Sequence, residues 1–305
     1  MYITMLGTSS GSPTKTRNNS GIVIQKKGSK KWSLIDCGDG IQRQIGIAEL
    51  NLYQLDTICI THLHGDHFYG LIGLLKAIGF TNRINGLTII APKQIKEFMK
   101  GLLNSINYRL DYTINFHYIE DGISYNNKDF NITTLKMSHR MSSWGFIFEE
   151  RIFTNKLNIK KLEEDDIPKG KIWGQIQNGL NKELSFDMND YIIPSSIKKV
   201  GISGDNDRPE LWKEIKNLNL LVHESTYTQE DLDIVGPEPQ HTSAKLVSLM
   251  ATDLGLKQLV LTHFSPRYRD NITDIKNIYE IEIEAKEYYK GELYIAKDFD
   301  IIEVK

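Results

Sequence analysis

The stretch "THLHGDHFYG", Thr61 to Gly70, sets three histidines and an aspartate within six residues, directly after the apolar run "DTICI". Neutral imidazole and carboxylate are good ligands for zinc or a similar divalent ion. Here they sit on a turn after a strand, which excludes the helical H-E-x-x-H arrangement. His62 and His64, two apart, can reach one ion, while Asp66 and His67 come round the Gly65 turn and can reach another. A single tetrahedral ion would not readily use all four and keep an open position. The spacing therefore predicts a two-metal site completed from elsewhere in the chain, since paired ions can share one bridging carboxylate. His139 in "MSHRMSSWGF", Asp205 in "ISGDND" and His263 in "LTHFSPRY" are available for this. Without a cation, so many buried imidazoles beside a carboxylate would be costly. Of the eight histidines only His117 lies outside a loop motif, and it reads as an ordinary packed or surface residue.

Working outward, short β-rich segments such as "YITML", "GIVIQ", "WSLID" and "DTICI" alternate with helix-like stretches at Leu71 to Phe80 and Pro92 to Leu103. This is an α/β pattern. Five apolar strands end in a polar residue with chemistry: Asp36, His62, Asp205, Glu224 and His263. Open α/β sheets place their sites at strand carboxyl ends, so these five are expected to converge on one cleft. One segment breaks the rhythm. From Thr154 to Ile197 the chain is polar, punctuated by Pro and Gly and weakly periodic, with six lysines against seven acids, and it reads as an inserted arm.

At 305 residues the chain can bury a sizeable core, and a net charge of −2 excludes a uniformly basic nucleic-acid binder while leaving room for a local basic patch. Cys37 and Cys59, its two cysteines, fall in apolar strand-like runs, which suits small buried side chains in a reducing compartment. The opening "MYITMLGTSSGSP" lacks a basic start and a signal-length apolar stretch, and no later run is long enough to span a bilayer. The expected location is the cytoplasm, with no membrane association.

The residues His62, His64, Asp66 and His67 match H-x-H-x-D-H, the signature of the metallo-β-lactamase superfamily, which the chain resembles. Lactamases, glyoxalases, lipid hydrolases and nucleases share that signature. The order of "LGTSSGSPTKTRN", "LIDCGDGIQRQI", "THLHGDHFYGLIGLL", "SHRMSSWGFIFEE", "ISGDNDRPEL", "VHEST", "HTSAKLVSLMA" and "LTHFSPRY" is similar to that of ribonuclease Z, the transfer-RNA 3′-processing endonuclease, over nearly the whole chain. The resemblance implies a four-layer αββα sandwich formed by a single domain over residues 1–305, with a protruding flexible arm at about 154–197 that binds transfer RNA. It implies two zinc ions, or manganese or iron in their place. His62, His64 and His139 would hold one, Asp66, His67 and His263 the other, and Asp205 would bridge them. Asp36 would position the histidines, although Asp is also common at strand-end turns. Glu224 and His241 match the loop the family uses for proton transfer.

The implied activity is removal of the 3′ trailer from precursor transfer RNA by a homodimer, leaving a 3′ hydroxyl on the transfer RNA and a 5′ phosphate on the trailer. Asp66 would orient or deprotonate the attacking water and His241, held by Glu224, would protonate the departing 3′ oxygen. Lys15, Arg17, Arg43, Arg267 and Arg269 are candidate phosphate contacts, each also readable as a solvated charge. Three departures from the family pattern stand out: Gly170 is followed by Lys171 rather than Pro, Asn206 follows Asp205, and Thr242 and Ser243 follow His241. The rival expectation is a binuclear phosphodiesterase of the same fold acting on small phosphodiesters, which would have no use for the arm.

Overall fold

The computed structural model describes residues 1–107, 109–121, 124–151, 156–179, 187–193 and 197–305, so Thr154 and part of the expected arm lie outside the described residues. In chain order the strands are β1 (Tyr2–Gly7), β2 (Gly21–Gln25), β3 (Trp32–Ile35), β4 (Leu55–Cys59), β5 (Leu87–Ala91), β6 (Ile114–Tyr118), β7 (Ser124–Asn126) and β8 (Phe130–Met137). There follow β9 (Ser143–Glu150), β10 (Lys156–Leu157), β11 (Ile192–Ile193), β12 (Lys199–Ile202), β13 (Leu220–Glu224), β14 (Gln258–Thr262), β15 (Glu292–Ile295) and β16 (Ile301–Glu303). One seven-stranded sheet has the order β16-β1-β2-β3-β4-β5-β6, and a second has the order β15-β14-β13-β12-β9-β8-β7.

Period-two alternation assigns each strand face to a different core. Ile3 and Met5 of β1, Ile22 and Ile24 of β2, and Ile90 of β5 join Phe146 and Phe148 of β9, Val222 of β13 and Val260 of β14 in one buried cluster between the sheets. Their neighbours Val23, Leu34, Ile58 and Ile89 face the other way, against α1 (Ile41–Ile47), α2 (Gly65–Phe68), α3 (Leu71–Gly79) and α4 (Gln94–Ser105). On the second sheet Leu221, Leu259 and Leu261 pack outward with Val247 and Ile281, which lie on the helices Ala244–Asp253 and Ile278–Tyr288. Three stacked cores separate four layers, so the expected αββα sandwich is the observed one. The central strands are buried on both faces and carry near-continuous Val, Ile and Leu.

The chain divides into two compact units, residues 1–149 with 198–305, and residues 150–197. In the smaller unit β10 and β11 pair antiparallel, with Leu157 opposite Ile192. Two helices, α5 (Ile159–Glu164) and α6 (Lys171–Asn178), give this unit its own small core of Leu162, Ile176 and Tyr191. The Asn158 side chain caps α5 by accepting from Lys161 N. Gly170, at the start of α6, has φ +144°, a backbone conformation that favours glycine. The helices that follow in the larger unit are α7 (Gln229–Val235), α8 (Ala244–Asp253) and α9 (Ile278–Tyr288). No helix among the described residues is long and apolar enough to cross a membrane.

Candidate metal centre

In both sheets the strands that carry the expected residues run parallel: β3-β4-β5-β6 in the first, β12-β13-β14-β15 in the second. Their carboxyl ends deliver Asp36, His62, Asp205, Glu224 and His263 to one place, as the strand-end reading expects. His62 Nε2 lies 3.6 Å from Asp205 Oδ2, His67 Nε2 lies 3.2 Å from His263 Nε2, and His241 Nδ1 lies 3.0 Å from Glu224 Oε1. The close fit leaves no room for a side chain at Gly204, where a Cβ would stand 2.6 Å from Ser143 Oγ and 2.7 Å from Trp144 O. Asp36 and His263 hold left-handed backbone conformations at φ 59° and 57°, strain of a kind that persists where the surroundings over-determine it.

Four of the imidazoles, those of His62, His67, His139 and His263, are anchored on their outer nitrogen. His67 Nδ1 donates to Asp36 Oδ2 at 2.7 Å and His139 Nδ1 donates to the Gln240 carbonyl at 2.8 Å. A carbonyl only accepts, so His139 carries its proton on Nδ1 and turns the Nε2 lone pair inward. His62 Nδ1 meets Thr61 Oγ1 at 3.0 Å, and His263 Nδ1 meets Thr226 Oγ1 at 3.3 Å. Pointing inward are His62 Nε2, His139 Nε2 and His64 Nδ1, the last 3.0 Å and 3.3 Å from the other two.

The carboxylate of Asp205 divides this set. Its Oδ1 lies 3.5 Å from both His67 Nε2 and His263 Nε2, and its Oδ2 lies 3.6 Å from His62 Nε2 and 3.8 Å from His139 Nε2. Asp66 joins the first group, with Oδ2 3.5 Å from His67 Nε2 and 3.4 Å from His263 Nε2, and is itself fixed by the Gly11 N–H at 2.7 Å. His62, His64, His139 and Asp205 form one group able to hold a metal ion, and Asp66, His67 and His263 form another.

Electrostatics agree with that donor set. Burial, then the neighbouring imidazoles, hold His62 well below the ordinary histidine range and bring His64 down to about 4; burial also lowers His139. These rings are neutral, the form that ligates metal. Burial opposes ionisation of Asp205 and Asp66, yet the adjacent histidines hold both carboxyls below their usual range. Burial also opposes a charge on His67, but Asp205, Asp36 and Asp66 outweigh it and raise the ring to about 10. Inward lone pairs on neutral rings beside ionised, buried carboxylates are the chemistry of a divalent-cation site, and the residues present fit one.

The second chemical feature is the pair His241 and Glu224. Glu224 is buried and also accepts from Thr226 Oγ1 at 2.5 Å and from Asn206 N at 3.0 Å. Burial works against protonation of His241, but the Glu224 carboxylate overrides it and raises the ring to about 9. Asn206, a departure from the family pattern, thus keeps a structural task through its backbone.

The expected phosphate contacts divide. Lys15, Arg43, Arg267 and Arg269 are exposed. Arg17 corrects the expectation: only 4% exposed, it donates to Asp270 Oδ1 at 2.7 Å, to Thr8 Oγ1 and to the Ala296 carbonyl, so its guanidinium is satisfied inside the fold. Three participants were not singled out from sequence: Thr61, whose Oγ1 also donates to both Asp36 oxygens, and Thr226 and Gln240. Gln240 acts through its backbone at φ 54°, for which no side-chain signal exists.

Two packed sheets, outer helices and a His/Asp cluster at the strand ends define a metal-dependent hydrolase of the metallo-β-lactamase fold, a class that implies a divalent metal. Comparison with solved structures agrees: human tRNase Z, short form, matches with a TM-score of 0.69 at 24% identity over 100% of both chains. The metallo-β-lactamase fold protein YhfI from Bacillus subtilis matches at 0.67 and 18% identity, covering 99% and 98%. The family of the Anti-Pycsar protein Apyc1 matches residues 1–161. Ribonuclease Z of Marinobacter nauticus is 40% identical over 98% of this chain and 95% of its own length, and that of Brevibacillus brevis is 32% identical over 100% and 97%. The chain belongs to the ribonuclease Z family, with an amino-terminal half that also belongs to the Apyc1 family. It is a metal-dependent hydrolytic endoribonuclease.

Proposed function

We propose that the protein removes the 3′ trailer from precursor transfer RNA, leaving a 3′ hydroxyl on the transfer RNA and a 5′ phosphate on the trailer. The observation that carries this is Asp205, whose two oxygens face two different histidine sets. In this reading His62, His64 and His139 would hold one zinc, Asp66, His67 and His263 would hold a second, and Asp205 would be shared by both sets. Manganese or iron would suit the same donors. When bound, such a pair neutralises phosphate charge and favours ionisation of a nearby water.

The chain's own residues supply the rest. Asp36 fixes the His67 tautomer, and Asp66, held by the Gly11 N–H, orients the attacking water and accepts its proton. His241 gives a proton to the departing 3′ oxygen, and Glu224 keeps that proton in place until it is needed.

Folded RNA presents phosphates and 2′ hydroxyls more than readable base edges, so exposed cations around the cluster suit it. Lys15 lies in the loop that Gly11 ties to Asp66, and Arg43 lines a groove with Tyr69. Arg267 sits over the Tyr227 ring at 4.9 Å, and that ring is 6.3 Å from His241. Arg269 follows in the same loop. The unit of residues 150–197, read as an arm that grips the body of the transfer RNA, a homodimeric assembly and a cytoplasmic location complete the proposal. The named relatives, ribonucleases Z matched over nearly their full length, favour RNA over a small phosphodiester.

The test is metal-loaded protein with a precursor transfer RNA and, in parallel, a small chromogenic phosphodiester, with end-group analysis of the products. One cut after the discriminator base, with a 3′ hydroxyl and loss of cutting in Asp66→Ala, is expected. Cleavage of the small diester alone, or a cyclic or 3′ phosphate end, overturns the reading.

A further inference from the structure

Beside the metal centre lies a cavity of about 540 Å³ that the reaction just described leaves unassigned. Its walls include Leu63, Met141, Trp144, Lys93, Lys136 and Glu120. Leu63 stands between His62 and His64, Met141 is two residues beyond His139, and Trp144 N donates to the Thr61 carbonyl at 3.2 Å. The two loops that present the first histidine set therefore also form this cavity.

Its chemistry is specific. Leu63, Met141 and Trp144 give an apolar floor, and a Met thioether packs well against aromatic rings. Trp144 is 8% exposed, and among the described residues its indole N–H has no hydrogen-bond acceptor. That N–H is not sealed from solvent, and an indole donor with no partner in the protein suits an acceptor on a ligand. Lys93 and Lys136 are exposed at the rim, against one carboxylate, Glu120, which accepts from Lys93 N at 3.2 Å. An apolar floor, one inward donor and two cations at the mouth match a ribonucleotide: base below, phosphate above. The volume lies in the range of small-ligand sites.

A second cavity, of about 350 Å³, is lined by His241 together with Asp207 and Asp233. The nucleotide that loses its 3′ oxygen bond must lie on the His241 side. The nucleotide that keeps the phosphate departs elsewhere, and the carboxylates of the second cavity would repel it. We infer that the Trp144 cavity binds the first nucleotide of the trailer, whose 5′ phosphate stays at the metal centre, through base contacts to Met141 and the Trp144 N–H and through contacts of Lys93 and Lys136 to the phosphate on its 3′ side. This rests on the proposed RNA reading.

Adenosine 3′,5′-bisphosphate, a minimal version of that product end with both its phosphates, is the probe, with inorganic phosphate as the comparison. Metal-loaded protein is titrated with each by equilibrium dialysis, and each is tested as an inhibitor of precursor cleavage. The nucleotide is expected to bind at least about tenfold more tightly than phosphate, the scale of one base contact, and to compete with precursor. That advantage shrinks in Trp144→Phe, which removes the donor together with one ring of the buried indole and so lowers the unfolding temperature, and in Met141→Ala and Lys136→Ala, the exposed Lys136→Ala unfolding at the wild-type temperature. If Trp144→Phe does not fold, the partly buried Met141 and the exposed Lys136 decide the matter. Equal binding of nucleotide and phosphate, or an advantage untouched in every folded variant, overturns the inference. Failure to cut precursor RNA at all would overturn the parent reading instead, because dialysis needs no turnover.

Discussion

His67 donates its Nδ1 proton to Asp36 Oδ2 at 2.7 Å while its Nε2 stands 3.5 Å from Asp205 Oδ1. One carboxylate thus sets the tautomer and orientation of a ring whose other nitrogen faces a second carboxylate. The outer partner holds the ligand before the cation arrives, and such partners govern metal affinity nearly as strongly as the ligands do. Asp36 also accepts from Thr61 N at 2.8 Å, so it fixes the start of the histidine loop at the same time.

Asp36→Ala is therefore expected to weaken metal binding by roughly 10- to 100-fold while leaving all inner ligands in place. Competition against a chelator of known affinity measures this directly. An unchanged affinity would show that Asp36 serves only the turn.

Much of this was legible in sequence, and the reason is local. H-x-H-x-D-H places four side chains by a single turn, and strand ends in parallel sheets have only one side on which to meet. Apart from Asp36, the outer partners were not legible, because their tasks are often long-range and through the backbone: the Gln240 carbonyl reaches His139 across 101 positions. Arg17 misled for a related reason. A cation in a loop next to exposed Lys15 looks like a phosphate contact, and only the fold reveals that Asp270, 253 positions away, has taken it.

Metal loading should release protons. With protein groups alone His67 is raised to about 10, so at neutral pH it is protonated, whereas His64 at about 4 is not. A ligand must be deprotonated, so binding near pH 7 displaces about one proton from this pair, and affinity climbs by about tenfold per pH unit. The gain ends once pH passes the raised His67 value. Calorimetric titrations in two buffers of different ionisation heat, repeated from pH 6 to 8, read the proton count. A count of zero would contradict the assignment of His67 as a ligand.

In the proposed mechanism the His241 and Glu224 pair sets the alkaline limit of turnover. A general acid works only while protonated, so activity falls as pH rises through the His241 pKa, which Glu224 lifts to about 9. Glu224→Gln removes the charge that raises it, and the alkaline limb is expected to move to lower pH. His241→Ala abolishes that limb and lowers kcat by about 10²- to 10⁴-fold. Single-turnover rates across the pH range, at saturating metal, separate these outcomes; an unmoved limb in Glu224→Gln would assign the proton to another group.

The smaller unit offers the sharpest separation of binding from chemistry. Its core of Leu162, Ile176 and Tyr191 is its own, and the residues that flank it in sequence, Glu149 and Lys199, are strand partners within the larger unit. A short glycine-rich link between those two strands in place of residues 150–197 should therefore leave the rest of the fold, its metal content and its hydrolysis of a small phosphodiester unchanged. If the unit grips transfer RNA as proposed, the precursor loses a second point of attachment, and because linked contacts raise overall binding by about 10²-fold or more, its KM is expected to rise on that scale while kcat on bound RNA changes little. Because the segment is nearly neutral, with six lysines and one arginine against eight acids, the loss should depend only weakly on salt, unlike the loss produced by removing Lys15 or Arg43. A deletion that costs RNA and small diester equally would mean that the unit supports the metal centre rather than the substrate.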